Sequence, residues 1–196
     1  ETNPYVEAFY KWWETELHKS LDELRITGGE PMMSPNLWKL LDWVETQGDR
    51  MNPNMRIAIN SNLGAKRSII DRFKKKLKGF NHFHLYTSME ATHGQAEYIR
   101  DGLVYSEWVS NFLNMMVDKV PSEIHNMCTV NALCLESLPE LLEKMLSFKN
   151  ASAVYGPKVN YTLNILRFPS FQSPLVLPDD LRNKFKGDIQ KFLNNN

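Results

Sequence analysis

Two glycines and a carboxylate stand together between a strand-like run and a helix-like run. They are Gly28, Gly29 and Glu30, followed by Pro31, in the segment LRITGGEPMMSPNLWKLLDWV. Glycines placed directly after a strand allow backbone conformations closed to other residues and let a ligand touch the main chain. A carboxylate at the mouth of a cavity suits an ammonium group. The alternative is an ordinary strand-to-helix turn, and the two glycines alone favour that simpler interpretation.

Polar side chains recur where the predicted strands end. They are Asn60, Ser61, Ser88, Glu90, Asn131 and Asn164. The carboxyl ends of parallel strands meet at one edge of a sheet, and ligands bind there in α/β proteins. Each residue alone is explained by a strand that emerges into solvent. The repetition over four strands favours a ligand site.

Hydrophobic periodicity predicts the elements that must position these residues. Strands are predicted at 23–27, 55–62, 83–90, 126–133 and 159–166, and the longer helices at 5–20, 35–44, 66–78, 106–118, 138–146 and 181–192. Ser34 and Pro35 form a helix start, and Ser137 to Glu140 matches a capping box. Strands separated by helices imply right-handed crossovers and a mainly parallel sheet, so the fold class is α/β. The pattern leaves open a barrel, a partial barrel or an open doubly wound sheet.

The two cysteines, Cys128 and Cys134, lie in one strand-like run, MCTVNALCL. An extended chain would place them about 20 Å apart, too far for a disulfide or a shared metal. The sequence therefore predicts two reduced packing cysteines in an intracellular setting.

Composition places the chain among globular proteins. It has 196 residues, of which 42% are hydrophobic and 11% aromatic, enough for one domain with a sizeable core. Basic and acidic residues are equal at 23 each, so charge gives no support for a DNA partner. No run approaches the roughly 18 to 20 apolar residues of a membrane span, which predicts a cytoplasmic protein without a membrane partner. The start at Glu1, without methionine, predicts a fragment of a longer protein.

Taken in order, the segments resemble the radical S-adenosylmethionine (SAM) enzymes, in particular the subgroup with a shortened accessory twitch domain. ELRITGGEPMMSPNLWKLLDWV resembles the second strand, the Gly-Gly-Glu-Pro motif and the following helix of that family. IAINSNLG and YTSMEA are similar to the segments that end its third and fourth strands, and AEYIRDGLVYSEWVSNF to its Tyr-Ile-Arg segment. FPSFQSPLVLPDDLR resembles the proline-rich closing segment of the subgroup. Nearly the whole chain is covered, and the ordered set is more specific than Gly-Gly-Glu-Pro alone.

The resemblance implies a SAM site at the glycine motif. Gly28, Gly29 and Glu30 would meet the amino group of the methionyl moiety, and Pro31 would hold the turn.

The resemblance also implies a second part of that site. Ser88 and Arg100 would hold the SAM carboxylate, because the guanidinium fork matches a carboxylate. Glu90, in place of the family's common Asp, would accept hydrogen bonds from the ribose hydroxyls. Weaker candidates for the same pocket are Asn60, Ser61 and Asn131.

The implied fold is a partial (β/α)6 barrel, similar to a TIM barrel, over a single domain of residues 1–196. Residues 167–196 would be its closing segment and C-terminal helix. The implied activity is reductive cleavage of SAM to a 5′-deoxyadenosyl radical, with an electron from a four-iron four-sulfur (4Fe-4S) cluster supplied by a donor such as flavodoxin or ferredoxin. The radical would modify an unknown substrate, which the resemblance leaves open as a peptide, a cofactor precursor or an RNA.

One departure from the family is clear. The Cys-x3-Cys-x2-Cys loop that holds the cluster does not occur in this sequence, so the ligands of the cluster are absent from this chain and no metal-binding residue is predicted. We expect that loop and the first strand to lie upstream of Glu1, which would leave this fragment inactive by itself. The alternative is a cluster-free, catalytically inactive scaffold that binds a peptide or another partner. No set of nucleophile, base and orienting group supports a conventional barrel hydrolase.

Overall fold

A parallel sheet forms the centre of the molecule in a computed structural model that describes residues 3–78, 80, 82–154 and 156–196. The strands are β1 (Glu23–Ile26), β2 (Arg56–Asn60), β3 (Phe83–Ser88), β4 (Glu123–Val130) and β5 (Lys158–Ile165). All neighbours pair in parallel, and the order in the sheet is β1-β2-β3-β4-β5. Because the order never reverses, right-handed crossovers place the connecting helices on one face. This confirms the α/β class and the partial barrel, and it excludes the doubly wound alternative.

Helices connect the strands and flank the sheet. They are α1 (Pro4–Trp12), α2 (His18–Ser20), α3 (Pro35–Gln47), α4 (Arg67–Leu77), α5 (His93–Ile99), α6 (Tyr105–Val117), α7 (Leu138–Ser152) and α8 (Asp179–Asn195). A π-helical turn over Trp13–Leu17 joins α1 to α2, so the helix predicted at 5–20 is confirmed as one helical run. Within the described ranges, no helix is long and apolar enough to cross a membrane.

The two faces of the sheet differ in polarity. In β3, the outward-facing Phe83, Leu85 and Thr87 are buried, whereas the residues between them are only half-buried. Trp108 of α6 donates a hydrogen bond from Nε1 to Thr87 Oγ1 at 3.1 Å, which shows that α6 packs on this outer face. The outer face therefore carries the core, and the inner face of the partial barrel carries the polar side chains.

The glycine motif is followed by the helix that the periodicity predicted. Helix α3 begins at Pro35, with Ser34 at the N-cap position in an extended conformation. Its stripe of apolar side chains is buried: Leu37, Leu40, Leu41 and Val44. The Ser34 side chain makes no capping hydrogen bond, so proline and the buried stripe determine this start.

The predicted capping box of α7 is wrong. Ser137 precedes the helix, but its Oγ accepts a hydrogen bond from the backbone N–H of Thr92 at 3.1 Å and makes no cap bond. Glu140 Oε2 accepts from Thr92 Oγ1 at 2.7 Å, and Glu140 Oε1 lies 3.0 Å from Nε2 of His93. Both side chains bind the segment that follows β3. These hydrogen bonds hold the pKa of Glu140 below its usual value.

The predicted strand through both cysteines is also wrong. Strand β4 ends at Val130, because Asn131 begins a turn in which its Oδ1 accepts from Leu133 N at 2.9 Å. The turn brings Cys134 back, so that its Sγ donates to the backbone oxygen of Asn131 at 3.2 Å. Cys128 and Cys134 are both buried free thiols, which agrees with their predicted packing role.

Burial predicts that these thiols are unreactive in the folded protein. Burial raises the pKa of Cys134 to about 11 and raises the pKa of Cys128 further. At pH 8 only about a thousandth of a thiol with such a pKa is ionised, and the thiolate is the reactive form. We expect both cysteines to react rapidly with Ellman's reagent only after unfolding in urea. A thiol that reacts within seconds in the native protein at pH 8 would contradict this expectation.

Candidate functional site

Glu30 lies where the loops after β1 and β2 meet. Its Oε2 accepts a hydrogen bond from the backbone N–H of Asn62 at 2.7 Å, and its Oε1 accepts from Met32 N at 3.1 Å. Ser61 Oγ lies 3.0 and 3.1 Å from the two oxygens. A carboxylate has about four acceptor positions. These three donors therefore leave room for one more, such as an ammonium N–H.

The loop after β2 is held in place from two sides. Leu63 is fully buried and has a φ of 53°, a left-handed conformation that is rare for leucine. Its N–H donates to Ser61 Oγ at 3.0 Å. Asn111 of α6 donates from Nδ2 to the backbone oxygens of Leu63 and Ala65 at 2.8 and 3.1 Å. The loop that supports Glu30 is thus bonded both within itself and to helix α6.

Sequence reasoning missed Asn111. It lies on a helix whose pattern is amphipathic, and it is 48 residues from its partner Leu63. No local pattern marks such a contact. The segment that contains Asn62 was identified from the sequence, but the bond from its backbone to Glu30 was not.

The two glycines of the motif differ in conformation. Gly28 has a backbone φ of 121°, a conformation that residues other than glycine rarely adopt. The φ of Gly29 lies outside this positive range. A Cβ built on either residue meets no atom within 4 Å. Both glycines are exposed, so the space next to their backbone is open.

This difference gives a prediction with a matched control. We expect Gly28→Ala to lower the free energy of unfolding by about 1–3 kcal/mol, because alanine at this φ is strained. Gly29→Ala introduces the same methyl group into open space and should leave stability within about 0.5 kcal/mol. Urea denaturation of both variants measures the difference. Equal losses of stability would show that the conformation of Gly28 carries no such cost.

Glu90 and Arg100 form a two-bond ion pair. Arg100 donates from Nε to Glu90 Oε2 at 2.7 Å and from Nη2 to Oε1 at 2.6 Å. The Glu90 side chain is 8% exposed and that of Arg100 is 27% exposed. Arg100 also lines a cavity of about 250 Å³ together with Asn62, Gly64, Asp101, Gly102 and Leu103. One edge of the guanidinium is therefore bound by Glu90.

The other predicted residues lie in different surroundings. Asn60 ends β2, and its Oδ1 is buried without a hydrogen-bond partner. Ser88 ends β3 on the half-buried inner face. Asn131 uses Oδ1 for Leu133 N and donates from Nδ2 to the oxygen of Thr129 at 3.1 Å, so both ends of its amide stabilise its own turn. The structure thus brings Glu30 to Ser61 and Glu90 to Arg100, and it binds Asn131 within its own turn.

Cavity size does not locate this site. A cavity of about 440 Å³ lies at the opposite end of the sheet, where Met55 and Phe80 contribute to its wall. Another of about 340 Å³ lies beside β1 and is lined in part by Phe9 and Leu24. The first is lined by none of the predicted site residues, and the second is lined by only one of them, Pro31.

Solved structures share this fold. A domain of pyruvate-formate lyase-activating enzyme from Bacteroides vulgatus has a TM-score of 0.52 and 12% identity, over 86% of this chain and 93% of that chain. SuiB from Streptococcus suis has a TM-score of 0.55 and 14% identity, over 88% of this chain and 36% of that chain. The enzyme anSMEcpe, solved with bound AdoMet and a peptide, has a TM-score of 0.56 and 16% identity, over 100% of this chain and 54% of that chain.

These neighbours are radical SAM enzymes. The chain shares the fold of these three proteins. Identities of this size show the fold alone, and the chain spans about half of anSMEcpe and about a third of SuiB. No family model and no curated protein sequence matches the chain.

The strand-end residues fit SAM. Glu30 keeps an acceptor position for an ammonium group, Gly28 and Gly29 leave open space, and the unpartnered Oδ1 of Asn60 is a free acceptor. The same residues do not fit a 4Fe-4S cluster. The sequence has only two cysteines, both buried, and the described ranges contain no group of three potential metal-binding side chains.

Proposed function

We propose that this chain is the SAM-binding part of a radical SAM enzyme that modifies a peptide. The observation that carries the proposal is the position of Glu30. Its carboxylate is held at the strand ends by Ser61 and Asn62, with one acceptor position left, beside the open backbone of Gly28 and Gly29. An ammonium group bound there would meet a negative charge and exposed main-chain groups.

The remaining roles are part of the same proposal. Ser88 and Arg100 bind the SAM carboxylate, since Arg100 has N–H donors beyond the two that Glu90 accepts. Glu90, the partner of Arg100, accepts hydrogen bonds from the ribose hydroxyls. The unpartnered Oδ1 of Asn60 is a further acceptor for the same pocket. Pro31 is buried and begins the short 3-10 turn that positions Glu30. Ser61 orients the Glu30 carboxylate, and Asn131 shapes the pocket by holding its turn.

The 4Fe-4S cluster would come from residues outside this sequence, and with an external electron donor it would supply the radical chemistry of the whole enzyme. The residues of this chain bind SAM, orient it and exclude water from it. The same proposal includes membership of the twitch-domain subgroup, N-terminal truncation and a single domain over residues 1–196. It also includes a flavodoxin or a ferredoxin as electron donor. The proposal also includes a cytoplasmic location, and a fragment that is inactive by itself.

A peptide is the substrate class we propose. The neighbour anSMEcpe was solved with both AdoMet and a peptide bound, and it shares the fold over the whole of this chain. The inner face of the sheet is polar and only half-buried, as in β3 and β4, so it is open to a chain-like ligand. A cofactor precursor or an RNA has no such support here.

Two measurements test this function separately. Isothermal titration calorimetry of the purified chain with SAM is expected to show one site, and absence of heat at millimolar SAM would refute the binding role. For the activity, the product of the complete gene is reconstituted anaerobically with iron and sulfide, then incubated with SAM and dithionite. Formation of 5′-deoxyadenosine supports the radical reaction. A product that binds SAM but forms no 5′-deoxyadenosine would support the cluster-free scaffold.

A further inference from the structure

The inner face of the sheet carries a stacked row of three side chains. The guanidinium carbon of Arg25 lies 5.0 Å from the ring centroid of Tyr86. The ring of Tyr86 lies 5.4 Å from that of His125, with 20° between their planes. Tyr86 and His125 are partners in the register of β3 and β4. We call Arg25, Tyr86 and His125 the inner-face row; its three side chains come from β1, β3 and β4 and stack on one another.

The Arg25 end of the row has more positive than negative charge. Glu23 is paired with both Arg25 and Arg56, and Glu23 and Arg56 are partners in the register of β1 and β2. The two guanidinium groups therefore share one carboxylate. Each guanidinium has five N–H donors. Arg25 and Arg56 together donate three hydrogen bonds to Glu23. The side chains of Arg25 and Arg56 are 50% and 45% exposed, so donors are open to a ligand.

The other charges of this face do not cancel that excess. Glu123 lies at the other end of the row, where its Oε1 is 3.9 Å from Nδ1 of His125, and Lys158 is its register partner in β5. Glu123 is further occupied by Asn160, which donates to it from Nδ2 at 2.6 Å. Burial lowers the pKa of the neighbouring His84; Glu123 opposes this shift, and nearby cationic groups including Arg25 and Arg56 add to it. The charge excess thus lies at the two arginines.

We propose that the inner-face row and Arg56 bind an acidic side chain of the peptide substrate. The carboxylate lies on the free donors of Arg25 and Arg56, and the peptide chain lies across the rings of Tyr86 and His125. This inference rests on the proposed function, because it names the substrate feature that the same barrel recognises. An Arg fork suits a carboxylate in both charge and shape.

The proposal also gives a spacing. Arg25 lies three positions before Gly28, which is two residues beyond the end of β1, so their Cα atoms are at most about 10 Å apart. An extended peptide covers the same distance in about three residues. The acidic residue is therefore expected about three positions from the residue that is modified next to SAM.

Peptide titrations without SAM test the proposal. Two blocked five-residue peptides are used, with glycine at four positions and either glutamate or glutamine at the centre, so that they differ only in the central charge. They are titrated into the isotope-labelled protein and followed by NMR. We expect the glutamate peptide to shift the signals of Arg25, Arg56, Tyr86 and His125 and to bind about threefold or more tightly than the glutamine peptide.

Two substitutions at the proposed site are expected to change the affinity for the glutamate peptide in opposite directions. Arg56→Gln should weaken binding of the glutamate peptide about threefold, whereas Glu23→Gln should strengthen it by a similar factor, because both guanidinium groups become free. Arg72→Gln is the matched control, since it removes an exposed arginine that stacks on Trp38 of α3, away from the inner face. Dispersed spectra of each variant establish that it is folded.

Several outcomes would overturn the proposal. Equal affinity for the two peptides, shifts confined to other surfaces, or weaker binding to Glu23→Gln would each exclude recognition of an acidic side chain. Acetate that shifts the same signals with the same affinity would show a simple anion site in place of a peptide site. A protein that binds SAM but not the glutamate peptide keeps its proposed function and loses only this inference.

Discussion

Replacing Glu30 with glutamine is expected to weaken SAM binding about tenfold or more and to lower the free energy of unfolding by about 2 kcal/mol. The carboxylate accepts hydrogen bonds from Met32 N, Ser61 Oγ and Asn62 N. Glutamine keeps the size of the side chain but turns one end into a donor, which then faces the donors of the protein. It also removes the negative charge that we assign to the ammonium group of SAM.

Calorimetry with SAM and urea denaturation measure the two effects independently. Glu143→Gln is the matched control, because Glu143 is an exposed residue on the outer helix α7. It should change neither quantity. A Glu30→Gln variant that loses stability but binds SAM with unchanged affinity would show that Glu30 only supports the loop, and the proposed amino-group site would then be wrong.

Replacing Arg100 with leucine is expected to lower the free energy of unfolding by about 3 kcal/mol. The change leaves the carboxylate of Glu90 without its partner, and that side chain is 8% exposed. An unpaired buried charge costs more than the pair contributes. The value lies at the lower end of the usual range because the Arg100 side chain is 27% exposed and water reaches it.

A double variant tests whether the loss of stability comes from the unpaired charge of Glu90. The double variant Glu90→Leu and Arg100→Leu should recover to within about 1 kcal/mol of the original protein, because no charge is left unpaired. Arg67→Leu is the matched control, since its pair with Asp71 is 50% exposed on both sides, and it should cost less than about 1 kcal/mol. If Arg100→Leu cost no more than Arg67→Leu, the Glu90 pair would have no special energetic role.

The alternation of apolar runs was enough to predict the fold class, because each strand and helix buries its own stripe of side chains. The buried residues of α3 and β3 follow the helical and strand periods of the sequence. Strand ends were less predictable. The run through Cys134 continues to look like a strand, yet Asn131 ends it by bonding to Leu133. A single turn residue can end an element that hydrophobicity would extend.

The glycine motif shows where local information ends. From the two glycines alone, an ordinary turn with Glu30 in solvent was the favoured interpretation. In the structure its partners, Ser61 and Asn62, are more than 30 residues away along the chain. Glu90 and Arg100 were each identified as candidates, but their bonds to each other were not. The order of the sheet brings these groups together, and no pattern within one segment contains that information.

For this protein the sequence by itself determined the α/β class, the helix after the glycine motif and the identity of the candidate residues. The tertiary structure alone decided which of them meet. In the folded chain, Glu30 accepts hydrogen bonds from the loop after β2, and Glu90 pairs with Arg100. Ser137 and Glu140 bond to Thr92 and do not cap their helix. The physical reason is that periodicity depends on neighbours three or four positions apart, whereas a polar side chain bonds to whichever group the packed sheet brings within about 3 Å.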